Sequence, residues 1–136
     1  MAENIKFEHL GQGIEICVSR DHTYGTDAFL LAEFSAPKPK DKICDLGTGC
    51  GIIPVLLKMN MNVNMSCNPA LIYGVDIQTK AIEQFKITIE KNNFEGIIPI
   101  EADIKTLWEN YPKGLDLVVS NPPYKAAGAG DRKSVV

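Results

Sequence analysis

The chain has 136 residues, 45% of them hydrophobic and 23% charged, with a formal net charge of −3. That length supports one domain with a real hydrophobic core, and the balance is ordinary for a globular protein. A pI near 5.4 is not that of a strongly basic nucleic-acid binder, no apolar run approaches the length of about 20 residues that spans a membrane, and Met1–Phe7 holds no apolar signal core.

Cys17, Cys44, Cys50 and Cys67 form neither a CxxC pair nor the His/Cys spacing of a zinc site. No metal is expected, no disulfide framework is expected, and Cys44 and Cys50, which flank a glycine-rich stretch, are expected to be reduced packing residues in a cytoplasmic protein.

Residues 4–18 alternate apolar and polar around Gly11-Gln12-Gly13, which predicts a β-hairpin. Ala28 to Phe34 follow as a short apolar helix that Thr26 or Asp27 can cap, and Pro37-Lys38-Pro39-Lys40 ends it. From residue 42 the rhythm becomes strand, helix, strand, helix. Strands are expected at Lys42–Leu46, Leu71–Asp76, Ile97–Glu101 and Leu115–Ser120, and the last reads as buried on both faces. Helices are expected at Gly51–Met59, with Pro54 in the first turn, and at Thr79–Asn93, closing near Gly96. Asn60–Ala70 reads as a polar loop and Ile104–Asn110 as a helical turn. The alternation predicts an α/β fold, a Rossmann-like doubly wound parallel sheet with an N-terminal β-hairpin. Two regions are expected: 1–36, the hairpin and its helix, and 37–136, the α/β core.

Between the first core strand and its helix lies Asp45-Leu46-Gly47-Thr48-Gly49-Cys50-Gly51. Glycines at 47, 49 and 51 permit a sharp turn and close approach of a ligand to the backbone. The helix N-terminus beyond offers unpaired N–H groups. The spacing is G-x-G-x-G, not the G-x-G-x-x-G of dinucleotide sites. Asp45 would repel a pyrophosphate but suits a cofactor with a cationic amino-acid portion. S-adenosylmethionine has an ammonium, a sulfonium and no phosphate. Asp76, at the tip of the second strand, can accept hydrogen bonds from ribose hydroxyls, and Asp103, after the third, can receive an adenine amino group. The alternative is that Asp76 caps the following helix and Asp103 only makes a turn.

Ser120-Asn121-Pro122-Pro123-Tyr124 follows the fourth strand. Two prolines stiffen the backbone and remove two donors. They leave acceptors: the Asn121 side-chain oxygen and the Pro122 carbonyl. Two acceptors on the two protons of a planar NH2 group draw its nitrogen toward tetrahedral geometry and free its lone pair. Tyr124 supplies a face on which a base can stack. The bland alternative is a strand terminator. Its position downstream of the glycine loop favours a methyl-acceptor clamp.

Together DLGTGCG and SNPPY resemble the cofactor and catalytic loops of the amino-methylating class I S-adenosylmethionine-dependent methyltransferases. Two subfamilies share both motifs: adenine-N6 methyltransferases of nucleic acid, and glutamine-amide methyltransferases of release factors. Tyr24-Gly25-Thr26-Asp27-Ala28-Phe29-Leu30-Leu31-Ala32 resembles the opening of the bacterial adenine-N6 methyltransferases that act on a valine tRNA. By that resemblance Gly25 and Thr26 contact the cofactor and the substrate is tRNA. Such enzymes have a larger sheet than four core strands. The resemblance therefore implies an N-terminal portion of a longer enzyme, whose exposed sheet edge offers a route to self-association. A non-catalytic cofactor-binding fragment is the reading from a different class. Lys125, Arg132 and Lys133 can touch phosphate or simply be solvated charge.

Overall fold

The computed structural model describes residues 4–63, 71–110 and 112–121. The alternating N-terminal segment forms β1 (Lys6–Gly11) and β2 (Ile14–Val18), paired antiparallel. Helix α1 (Thr26–Ser35) follows. Its N-cap is Gly25, with no side-chain capping hydrogen bond, so neither Thr26 nor Asp27 has the capping role expected of it. Both lie inside the helix, where their N–H groups are themselves among the unpaired donors of the first turn.

The α/β alternation then yields β3 (Lys42–Leu46), α2 (Ile52–Val63), β4 (Leu71–Asp76), α3 (Thr79–Asn92), β5 (Ile97–Glu101), α4 (Ile104–Asn110) and β6 (Leu117–Ser120). Helix α2 runs further than expected, into the segment read as a polar loop. Residues 64–70 of that segment lie outside the described residues. Helix α3 ends at Asn93, which adopts the left-handed conformation at φ 55° and donates its N–H to Glu90 O. Asn tolerates that conformation better than most residues, so the helix stops before Gly96.

The four core strands are all parallel, in the order β5-β4-β3-β6. The chain steps outward from β3 to β4 and β5, then returns to the other side of β3 as β6. The sheet therefore reverses beside β3, and open α/β sheets bind ligands at that switch point. One face of the sheet carries the larger core: Ile43 and Ile72 from the strands, Ile53 and Leu57 from α2, Ile82 and Phe85 from α3, Ile16 and Val18 from β2 and Ala28 and Ala32 from α1. The other face carries a smaller cluster of Cys44, Val75, Ile100 and Leu107 from α4. Strand β6 is shorter than expected and not buried on both faces. Val118 is 47% exposed while Val119 is buried, because β6 is an edge strand among the described residues and one face of it is only thinly covered.

Candidate functional site

The strand-to-helix turn after β3 is held by its neighbours. Val75 O accepts the N–H groups of both Gly47 and Thr48, each at 2.8 Å. Gly49 N–H donates to Asp76 Oδ2 at 2.8 Å, and Gln78 N–H donates to Asp76 Oδ1 at 2.9 Å. One carboxylate at the tip of β4 thus fixes the glycine loop and the entry to α3 together. The two sequence readings of Asp76, ligand acceptor and local anchor, are not exclusive. Each carboxylate oxygen accepts one backbone N–H and has further acceptor capacity.

Asp45, next to last in β3, has only 1% of its surface exposed, and among the described residues neither of its carboxylate oxygens has a hydrogen-bond partner. Burial pushes its pKa up to about 7. The nearby Thr48 hydroxyl opposes the rise and the Asp76 carboxylate adds to it. Thr48 Oγ1 makes no hydrogen bond of good geometry itself. A buried carboxylate without a partner is costly. It lies on the wall of a cavity, where its oxygens could meet a cation or a hydrogen-bond donor.

That cavity has a volume of about 630 Å³, within the range of small-molecule sites. It opens at the carboxyl ends of β3, β4 and β6. Of the residues expected to bind or act on ligand, it brings together Gly25, Thr26, Asp45, Gly47, Gly49, Asp76 and Asn121. Asn121, half-buried, is the last described residue of its segment. Pro122, Pro123 and Tyr124, with Lys125, Arg132 and Lys133, lie outside the described residues.

Two expected cofactor residues are placed elsewhere. Gly51 does not line the cavity. At φ +91° it faces Phe85 of α3, and a Cβ there would stand 2.6 Å from Phe85 Cε1 and 2.7 Å from Cγ. Its lack of a side chain lets α3 pack against the loop. Asp103 is exposed and also absent from the cavity wall. Its Oδ1 accepts Lys105 N–H at 2.9 Å, and its carbonyl accepts Thr106 N–H at 3.0 Å. That is the turn-making alternative.

The cavity also has a rim that the motifs did not reveal: Asp21, His22 and Thr23, between β2 and α1, with Tyr24. Tyr24 Oη donates to Glu8 Oε1 of β1 at 2.8 Å. Burial, then Glu8, raise its pKa to about 12, so it remains a donor. The only sequence signal for this rim is a polar, non-periodic stretch between two apolar segments. Cys17, Cys44 and Cys50 are buried and free. Burial pushes Cys44 up to about 11 and Cys50 up to about 12, which favours the protonated thiol. Among the described residues, no group of three or more His, Cys, Asp or Glu side chains could hold a metal. No described helix is long and apolar enough to cross a membrane.

Residues 18–136 match the methyltransferase small domain family. A curated Photorhabdus laumondii protein, a tRNA1(Val) (adenine(37)-N6)-methyltransferase, is 33% identical over 101 residues, covering 74% of this chain and 39% of its own length. A Yersinia pestis protein of the same description is 32% identical over 103 residues, covering 75% of this chain and 40% of its own. The chain thus spans about two fifths of the length of these relatives. Among solved structures, a Thermus thermophilus 16S rRNA methyltransferase in complex with AdoMet and guanosine superposes with a TM-score of 0.66 at 20% identity, covering 93% of this chain and 34% of that one. A Pyrococcus abyssi tRNA (uracil-54, C5)-methyltransferase superposes with a TM-score of 0.61 at 23% identity, covering 90% and 29%. Both likenesses are of fold. The breadth of the family match, across the glycine loop, the Asp76 strand end and Asn121, places this chain in the methyltransferase small domain family.

Proposed function

We propose that the chain is the cofactor-binding and catalytic core of an S-adenosylmethionine-dependent N-methyltransferase that acts on adenine N6 in tRNA. The observation that carries the cofactor reading is Asp45: a buried carboxylate without a hydrogen-bond partner among the described residues, on the wall of a cavity that also takes in Asp76 and Asn121. The donor set fits a cofactor that is cationic at one end and carries a ribose. When bound, S-adenosylmethionine supplies a methyl group activated by its sulfonium.

On this reading Asp45 pairs with the ammonium of the amino-acid portion and gives up its own proton as it does so. Asp76 accepts from the ribose hydroxyls while still anchoring the loop. Gly47 and Gly49 keep the backbone low enough for close approach, and Gly25 and Thr26 cover the site from the start of α1. Asn121 Oδ1 and the Pro122 carbonyl accept the two protons of the acceptor NH2, Pro123 stiffens the loop, and Tyr124 stacks on the base. The reaction then relies on positioning more than on a strong base, since the proton leaves after the methyl arrives. Gly51 and Asp103 stand off the cavity wall, and residues 1–36 serve as the cover of a core formed by 37–136. An added strand, from a longer chain or a second copy, would pair at the outer edge of β6.

The 33% identity to a tRNA adenine-N6 methyltransferase supports the tRNA substrate. The test is incubation of the full-length protein with labelled S-adenosylmethionine and unmodified total tRNA. Labelled N6-methyladenosine is expected. Label on protein would select glutamine-amide methylation, and no label in any acceptor would leave cofactor binding alone.

A further inference from the structure

The hairpin is held by side chains of α3 in place of a third strand. Glu15 and Cys17, two apart on β2, present backbone groups to the same edge. Asn92 Nδ2 donates to Glu15 O at 2.7 Å, and Asn92 Oδ1 accepts Glu15 N–H at 3.1 Å. Thr88 Oγ1 accepts Cys17 N–H at 2.9 Å, and Gln84 Nε2 donates to Cys17 O at 3.3 Å. Gln84, Thr88 and Asn92 are spaced i, i+4, i+8 and so share one helix face. Gln84 and Thr88 are buried, at 5% and 0% exposure. An unpaired edge under a core would leave costly orphan groups, and this polar ladder satisfies them.

At its N-terminal end the ladder reaches the cavity. Gln84 Nε2 also donates to His22 O at 3.1 Å. His22 is already folded back on Ser19, through Ser19 N–H to His22 O at 3.0 Å and His22 N–H to Ser19 Oγ at 3.2 Å. Gln84 is therefore the only ladder residue that ties both β2 and the rim, through the loop that leads to Tyr24, Gly25 and Thr26.

We propose that Gln84 is a positioning residue for the cofactor: it fixes the 21–26 rim over the cavity from α3, the same helix whose entry Asp76 anchors. The proposal rests on the cofactor reading above. Ligand affinity would then depend on a side chain that is absent from the cavity wall.

The test compares Gln84→Met, which keeps volume but removes the donors, with Asn92→Ala at the far end of the ladder. Calorimetry with S-adenosylhomocysteine and amide exchange of the ligand-free chain are the two readouts. Gln84→Met is expected to weaken binding by about tenfold or more and to speed exchange across residues 19–27, with exchange across 43–57 unaltered. Asn92→Ala is expected to speed exchange in the hairpin but leave affinity within about twofold of wild type. Equal losses in both variants, or wild-type affinity in Gln84→Met, would overturn the inference while leaving the cofactor reading intact. Failure of the wild-type chain to bind would overturn both. Gln84→Glu, isosteric and lacking the amide donor, supplies the same comparison if Gln84→Met does not fold.

Discussion

Gly49 N–H and Asp76 Oδ2 meet at 2.8 Å across the carboxyl end of the sheet. The acidic residue that faces the cavity is thus also the residue that shapes the glycine loop. Replacing it with alanine removes two charge-assisted hydrogen bonds from backbone donors, each worth about 1.5–3 kcal/mol. Asp76→Ala is expected to lower stability in urea by several kcal/mol. Asp76→Asn keeps one acceptor, so its stability loss should be smaller while cofactor affinity still falls. Equal affinity in Asp76→Asn and wild type would reject a ligand contact by this carboxylate.

Asp45 gives a pH dependence of definite sign. In the folded chain the carboxyl holds its proton up to about pH 7, against a reference value of 3.8. Between those values the folded state binds more proton than the unfolded one, so stability falls as pH rises. The fall amounts to on the order of 2–3 kcal/mol between pH 5 and pH 8. Asp45→Asn has no such group. Its stability relative to wild type, from urea melts without ligand, should therefore rise by about that amount over the same interval. A cationic ligand demands the ionised form, so wild-type affinity should tighten as pH rises through about 7 and Asp45→Asn should bind weakly throughout. A flat stability difference from pH 5 to pH 8 would reject the raised pKa.

Phe85 occupies the space that side chains at Gly51 and Gly74 would need. A Cβ on Gly74 would lie 2.5 Å from Phe85 Cε2 and 2.8 Å from Thr48 Oγ1. Gly51→Ala is expected to cost about 2–4 kcal/mol, from overpacking and from the left-handed backbone together. Combining it with Phe85→Leu should recover part of that loss, as a positive coupling in a double-mutant cycle. Strict additivity would place the strain elsewhere.

Asn121 lines the cavity but lies at the acceptor end of the proposed site. In the full-length protein, Asn121→Ala should leave cofactor affinity near wild type and reduce methyl transfer by at least about a hundredfold, since orientation of the acceptor nitrogen is lost. Calorimetry and single-turnover transfer measure the two effects separately. Unchanged turnover would eliminate the clamp.

Local pattern carried much of the architecture. Apolar runs bounded by Asp, Gly and Pro located β3, β4 and β5 with the bounds they have in the structure, because short buried strands must be both apolar and sharply terminated. Less was legible where two signals competed. The polar residues after Met59 read as loop, yet α2 continues to Val63. The apolar run from Leu115 read as buried, yet Val118 is 47% exposed on a strand that is at the sheet edge among the described residues. On α3 the apolar face of Ile82, Phe85 and Ile89 was evident. The buried polar ladder beside it was not, although Gln84, Thr88 and Asn92 repeat at the same helical spacing.

The sequence by itself determined the α/β class, the order of elements and the residue types at the strand ends, because each follows from local spacing and from what a buried strand or tight turn tolerates. Only the tertiary structure decided which acidic and glycine residues share one cavity. Sequence placed Asp45, Asp76 and Asp103 at three successive strand ends, yet the fold turns the first two into the cavity and leaves the third exposed as a turn. It likewise turned Gly51 toward Phe85 and left it off the cavity wall. The reason is that a side chain's environment depends on how helices and hairpin pack across the sheet, and that packing is set by contacts between residues distant in the chain.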